Sequence, residues 1–216
     1  MPLDKKSLLD AVKEAKTKSG ERKFNQTVDF VLDIKEIDMK APEGKITEVV
    51  ELPHASDKPN KICFVASGEL ALKAKRANAD NVIERPDLDA LAGKKKELRK
   101  LASSYDVFLS EASLMASVGR TLGPVLGPRG KMPVPVPPNA DVDALIAKHR
   151  KTVIVRMRNQ PIIQTTVGTV SQSDEDLVDN ILAVLRVLEG KLKRGLKNID
   201  VVFVKTSMGT PVKIKP

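Results

Sequence analysis

Apolar residues recur at helical spacing from Asp4 to about Lys18, with Leu8, Leu9, Val12 and Ala15 on one face, and Ser19-Gly20 supplies a stop. The period then changes. In TVDFVLDI, Val28, Phe30, Leu32 and Ile34 face one way and Thr27, Asp29 and Asp33 the other, which predicts a half-buried strand. APEGKITEVVELP predicts a turn and a second strand, and PHASDKPNK a polar connection. From Lys61 the character shifts to short apolar runs alternating with helical stretches. KICFVAS, NVI and YDVFLS read as strands; GELALKAKRANAD, PDLDALAGKKKELRKLAS, EASLMASVG and DVDALIAKHRK read as helices. From Thr152 strands return in TVIVRMR and IIQTTVG, joined by a turn at Asn159-Gln160-Pro161. A long amphipathic helix follows, with Ser173 as its cap and Asp176 at the box position, then one or two strands in IDVVFVKTSMGTPVKI.

Core size bears on how these pieces combine. Residues 1–60 supply one helix and two strands, and residues 152–216 a similar amount; joined, they reach the size of a comfortable single core. The alternating middle looks self-sufficient. The expected fold is therefore mixed α/β and α+β in two domains: an α+β domain formed by both chain ends, residues 1–60 plus 152–216, with a doubly wound, Rossmann-like α/β domain inserted as residues 61–151. Two successive domains are the competing arrangement.

The formal charge of +9 favours polyanionic partners through counterion release, without naming one. The excess is uneven: residues 61–151 hold 16 basic and 10 acidic side chains. Aromatic residues are few, with five Phe, one Tyr and no Trp, which argues against a single-strand binder built on stacked rings. An RNA partner would be read through its folded shape and backbone. No apolar run approaches the roughly 18 residues of a membrane span, and the first residues lack the apolar core of a secretory signal. The single Cys63 cannot form an internal disulfide and reads as a buried thiol. Together these features suit the cytoplasm.

The stretch RTLGPVLGPRGKMPVPVPPNAD invites comparison with a phosphate-binding loop, and fails it. Pro124 and Val125 stand where the first glycine is needed, Met132 follows Lys131 in place of Ser or Thr, and the prolines lack the N–H groups such a loop aims at phosphate. ASGELA, after the first apolar strand, has one glycine and no dinucleotide pattern. His54 and His149 lack neighbours at metal-ligand spacing and read as surface residues; Cys63 has no histidine companion. No catalytic constellation or cofactor is expected.

The spacing of Gly119, Gly123, Leu126, Gly127, Pro128, Arg129, Gly130, Met132 and Pro133 resembles the signature of the large-subunit ribosomal protein L-one family, of archaeal type. KFNQTV, VELPH, TTVG and TSMGTPVKI agree, so the resemblance covers essentially the whole chain. It implies the two-domain arrangement above, with the terminal domain carrying the main contact to rRNA of the mobile lateral stalk. It also implies a part in releasing deacylated tRNA from the exit site, repression of translation through the protein's own mRNA, a ribosome-bound life and a free monomer. Carried over residue by residue, KFNQT supplies Lys23 for phosphate, Phe24 for a sugar or base edge and Thr27 for a hydrogen bond. TSMG supplies Thr206, Ser207, Met208 and Gly209. Arg156, Arg158 and the stretch from Gln164 to Gly168 complete the surface. Arg129 and Lys131 are secondary contacts to RNA or tRNA backbone, in a Gly/Pro stretch expected to be a rigid loop. For Phe24, a core position is the competing reading. The rivals for the whole chain are a nucleotide-dependent enzyme acting on nucleic acid, which a nucleotide-binding assay would reveal, and an assembly factor that leaves mature subunits.

Overall fold

The computed structural model describes residues 4–20, 22–38, 46–157 and 160–214. They divide into two compact units: Met1–Pro59 with Lys151–Pro216, and Asn60–Arg150. The chain begins with α1 (Lys5–Thr17), β1 (Thr27–Ile34) and β2 (Thr47–Glu51). The second unit follows with β3 (Ile62–Val65), α2 (Gly68–Arg76), β4 (Asn81–Ile83), α3 (Arg85–Leu91), α4 (Lys95–Ser104), β5 (Val107–Glu111), α5 (Met115–Thr121), α6 (Gly123–Arg129), β6 (Val134–Val136) and α7 (Val142–Arg150). The chain then returns to the first unit with β7 (Thr152–Arg156), β8 (Ile162–Thr169), α8 (Asp174–Glu189), β9 (Ile199–Thr206) and β10 (Val212–Ile214). No helix among the described residues is long and apolar enough to cross a membrane.

In the first unit the sheet order is β10-β9-β1-β8, antiparallel throughout, with β2 and β7 forming a separate two-stranded ribbon. The alternation in β1 is realised: Val28, Phe30, Leu32 and Ile34 are buried and their neighbours half-buried. α1 contributes Leu8, Ala11, Val12 and Ala15 to the same core, and α8 contributes Leu177, Ile181, Val184 and Leu188. Removing one such side chain from water contributes about 1.5–3 kcal/mol. Because β1 lies between two strands from the far end of the chain, neither end can complete this sheet alone. Ser173 caps α8 by accepting the Asp176 N–H at 3.1 Å. Inside α8, Asn180 is fully buried; its amide accepts the His54 N–H and donates to the His54 and Val167 carbonyls. The turn expected before β2 and the Asn159 turn position lie outside the described residues.

The second unit is a parallel sheet of order β4-β3-β5-β6, with apolar clusters on both faces. β3 is buried along its whole length, as expected of a central parallel strand. Burial pushes the Cys63 thiol up to about 12, so it stays protonated and inert. Three expectations are corrected here. The helix expected over PDLDALAGKKKELRKLAS is two helices, because Gly93 between them adopts φ 82°. The Gly/Pro stretch is not a loop throughout: it contains α6 and β6, with irregular backbone between and after them. Pro124 fits at the helix start, where its N–H would be unused, and Gly130 closes α6 at φ 69°. β6 tolerates Pro135 because it is an edge strand. His149 is buried in the last turn of α7.

Candidate nucleic-acid interface

Strand register brings three separated motifs to one end of β1. Thr27 stands opposite Thr169, and Val28 stands opposite both Gly168 and Thr206. The turn after β9 then folds back: the Ser207 N–H donates to the Thr27 carbonyl at 3.0 Å and the Thr27 N–H to Ser207 Oγ at 3.1 Å. Their two hydroxyls are hydrogen-bonded at 2.8 Å and both residues are half-buried. Beside this pair, Phe24 and Met208 are 52% and 61% exposed, and Lys23 is exposed as well. The competing core position for Phe24 is thus excluded, since its ring lies before β1 begins and outside the core. An aromatic face, a thioether, two small hydroxyls and a cation on one rigid edge can cover a ribose, bond its 2′-OH and neutralise a phosphate.

Other expected residues are placed differently. Thr206 is fully buried and its hydroxyl has no hydrogen-bond partner among the described residues, so the hydroxyl presented by TSMG is that of Ser207. Gly209 covers it: a methyl group added there would lie 2.3 Å from Thr206 Oγ1 and 3.3 Å from Ser19 Cα. Thr206→Val should therefore stabilise the chain by about 1 kcal/mol in denaturant melts, because an unpaired buried hydroxyl is removed without changing shape. A variant that loses RNA affinity at unchanged stability would show instead that this hydroxyl is uncovered on binding. Gly168 is also buried, packed against Gln172 and Leu177. Gln164 is exposed but pairs with Val31, four residues along β1. Half-buried Arg156 ends β7, and the chain passes from it to Pro161, whose carbonyl bonds Ile34 at the far end of β1. Gln164 and Arg156 are therefore not gathered with Phe24 and Met208, and Arg158 lies outside the described residues.

In the second unit Arg129 is exposed at the end of α6, where it donates to Ser103 Oγ at 2.7 Å. Lys131 turns inward. Its ammonium donates to the Tyr105 and Ala102 carbonyls at 2.6 and 3.3 Å, satisfying the carboxyl end of α4. That is a capping role the sequence did not suggest.

Several residues of the corner carried no periodic signal. Lys58 and Asp57, from the polar connection after β2, strap it in place. Lys58 donates to the Asn25 carbonyl and its ammonium stands 6.0 Å from the Phe24 ring centre. Asp57 accepts from the hydroxyls of Ser171 and of Thr169, and Asn25 donates to Ser171 at 2.8 Å. The Ser171 and then the Thr169 hydroxyl bonds hold the Asp57 carboxyl below its ordinary range. Next to Phe24, an open cleft of about 360 Å³ is lined by Lys16, Ser19, Gly20, Arg22 and Gln26.

Doubly wound sheets take nucleotides where the strand order reverses, here between β3 and β5. That position holds the protein's own carboxylate. Glu111 Oε2 accepts the N–H and the hydroxyl of Ser67, at 3.0 and 2.8 Å, at the start of α2. Hydrogen bonds from Ser113 and Ser67 hold the Glu111 carboxyl below its ordinary range.

Fold and site together define a mixed α/β protein of two units, with a hydrogen-bonded corner at the start of β1. A family model described as the ribosomal protein L1p/L10e family matches residues 12–210. The large ribosomal subunit protein uL1 of Methanothermobacter thermautotrophicus is 44% identical over 96% of this chain and 98% of its own length. The uL1 proteins of Hyperthermus butylicus and Pyrococcus abyssi are 45% and 43% identical, over 95% and 100% of this chain and 94% and 98% of their own lengths. The chain belongs to the ribosomal protein L1p/L10e family, and it is a ribosomal protein and not an enzyme.

Proposed function

We propose that the chain is a structural constituent of the large ribosomal subunit that grips a folded rRNA element of the mobile lateral stalk through the corner at the start of β1. The names of its relatives support the subunit assignment. The observation that supports the RNA reading is the Thr27–Ser207 hydroxyl pair, which joins the two segments that carry exposed Phe24 and exposed Met208. Selection is by shape: the edge is held by hydrogen bonds before RNA arrives, and no bond is made or broken in the nucleic acid. The second unit, with its excess of cations, adds weaker backbone contacts from Arg129. Steering by charge and reading by shape are thus assigned to different parts of the chain.

Two further roles extend this reading. Through the stalk the protein assists release of deacylated tRNA from the exit site, and through a similar RNA fold it represses its own mRNA as a free monomer. Both rest on the family resemblance of the whole chain, with no residue that distinguishes one role from the other. A hydroxyl-radical footprint on large-subunit rRNA tests the proposal: one continuous protected element is expected, with affinity falling as salt rises. Diffuse protection, or none, would overturn it.

A further inference from the structure

We infer that Gln26 is the positioning residue of the RNA-reading turn, holding Met208 in place through a side chain that itself touches no RNA. The inference rests on the function proposed above. Gln26 is 4% exposed, at the step between α1 and β1. Its Oε1 accepts the Met208 N–H at 3.1 Å. Its Nε2 faces the carbonyls of Ser19 and Gly20, at 3.4 and 3.3 Å. Its own carbonyl accepts the Val170 N–H at 2.9 Å, on the connection between β8 and α8. One residue thus ties together the exit of α1, the end of β8 and the turn after β9, which are distant in sequence.

The amide orientation follows from its partners. Exchanging oxygen and nitrogen would set an acceptor against two carbonyls and a donor against an N–H. Only a side-chain amide supplies both functions at this reach; Glu lacks the donor and Met lacks both. The Met208 side chain gains little from packing because most of it is exposed. Its position therefore depends on the backbone of its turn, which is held by Ser207 N–H to Thr27, Gly209 N–H to Thr206 and Met208 N–H to Gln26. Removing the last frees the residue meant to lie against a ribose, while leaving Lys23 and the other cations where they are.

The test uses the full chain and, as probe, the rRNA fragment it protects in the footprint. Gln26→Met keeps the shape and removes the amide. It should weaken binding about fivefold to tenfold, the size of one lost hydrogen bond, with an unchanged salt slope. In the Gln26→Met, Met208→Ala double variant the loss should not exceed that of Met208→Ala alone, whereas combined with Lys23→Ala the two losses should multiply. Wild-type affinity in Gln26→Met, or multiplying losses with Met208→Ala, would overturn the role of Gln26 while leaving the RNA surface standing. Wild-type affinity in Met208→Ala would remove the turn from the RNA surface and this inference with it. Should Gln26→Met fail to fold, amide exchange in the wild-type protein decides: the Met208 N–H should be protected in the free chain, and fast exchange would sink the proposal.

Discussion

Gly168→Ala is expected to destabilise the first unit by about 3 kcal/mol, at the upper end of what one overpacked methyl costs. The added carbon would lie 2.1 Å from Gln172 Oε1 and 2.5 Å from Leu177 Cδ2, both far inside contact distance. Gln172 cannot swing away freely. Its Oε1 accepts the Thr169 N–H at 2.9 Å and its Nε2 donates to the Ala55 carbonyl at 2.7 Å, so displacement breaks two hydrogen bonds. Leu177 is fully buried in the first turns of α8 and has no room either. Chemical denaturation should show a lower midpoint at unchanged slope. Gly168 was expected at the RNA surface, and this outcome would reassign it to the scaffold beneath. A variant as stable as the wild type would mean that the α8 entrance yields easily, and the scaffold reading would fail.

Phe24→Ala should do the reverse: a loss of about 1–3 kcal/mol in RNA affinity, the range for removing one aromatic contact to a nucleotide, with stability nearly untouched. The separation follows from position. The ring is 52% exposed, stands before β1 and is not among the buried residues of the core. The Lys58 ammonium 6.0 Å from its ring centre is itself exposed, and such pairs are worth little in water. Binding titrations against the protected rRNA fragment, with a parallel thermal melt, test both halves. Unchanged affinity in a folded variant would place the RNA elsewhere on the protein. Equal losses in affinity and stability would restore the core position that the sequence left open.

These two residues show how unevenly the site could be read. Phe24 precedes an alternating strand, and from the pattern alone it could extend the strand's apolar face or stand clear of it. Gly168 belongs to a motif, but a motif does not say which members touch a partner and which make room for neighbours. Thr206 and Ser207 are adjacent hydroxyls at a strand end, where alternation sends one inward and one outward, and Ser207 is the outward one. Lys131 was expected as a secondary contact to RNA or tRNA backbone, and its spacing gave no sign that its ammonium donates to the carbonyls at the end of α4.

Periodicity by itself determined the strand β1 and its inward face, the two long amphipathic helices α1 and α8, and the strand–helix alternation of the middle, because side chains repeat every two or every 3.6 residues whatever lies opposite. Charge and the absence of nucleotide or metal patterns were likewise matters of composition and spacing. Tertiary structure decided the rest: the break at Gly93, the helix and edge strand hidden in the Gly/Pro stretch, and which motif residues share a corner. Antiparallel pairing puts the start of β1 beside the ends of β8 and β9, while Gln164 and Arg156 fall further along or at the opposite end. Gln26, Asp57 and Lys58 act through hydrogen bonds to segments far away in the chain, and such partners exist only once the backbone has closed on itself.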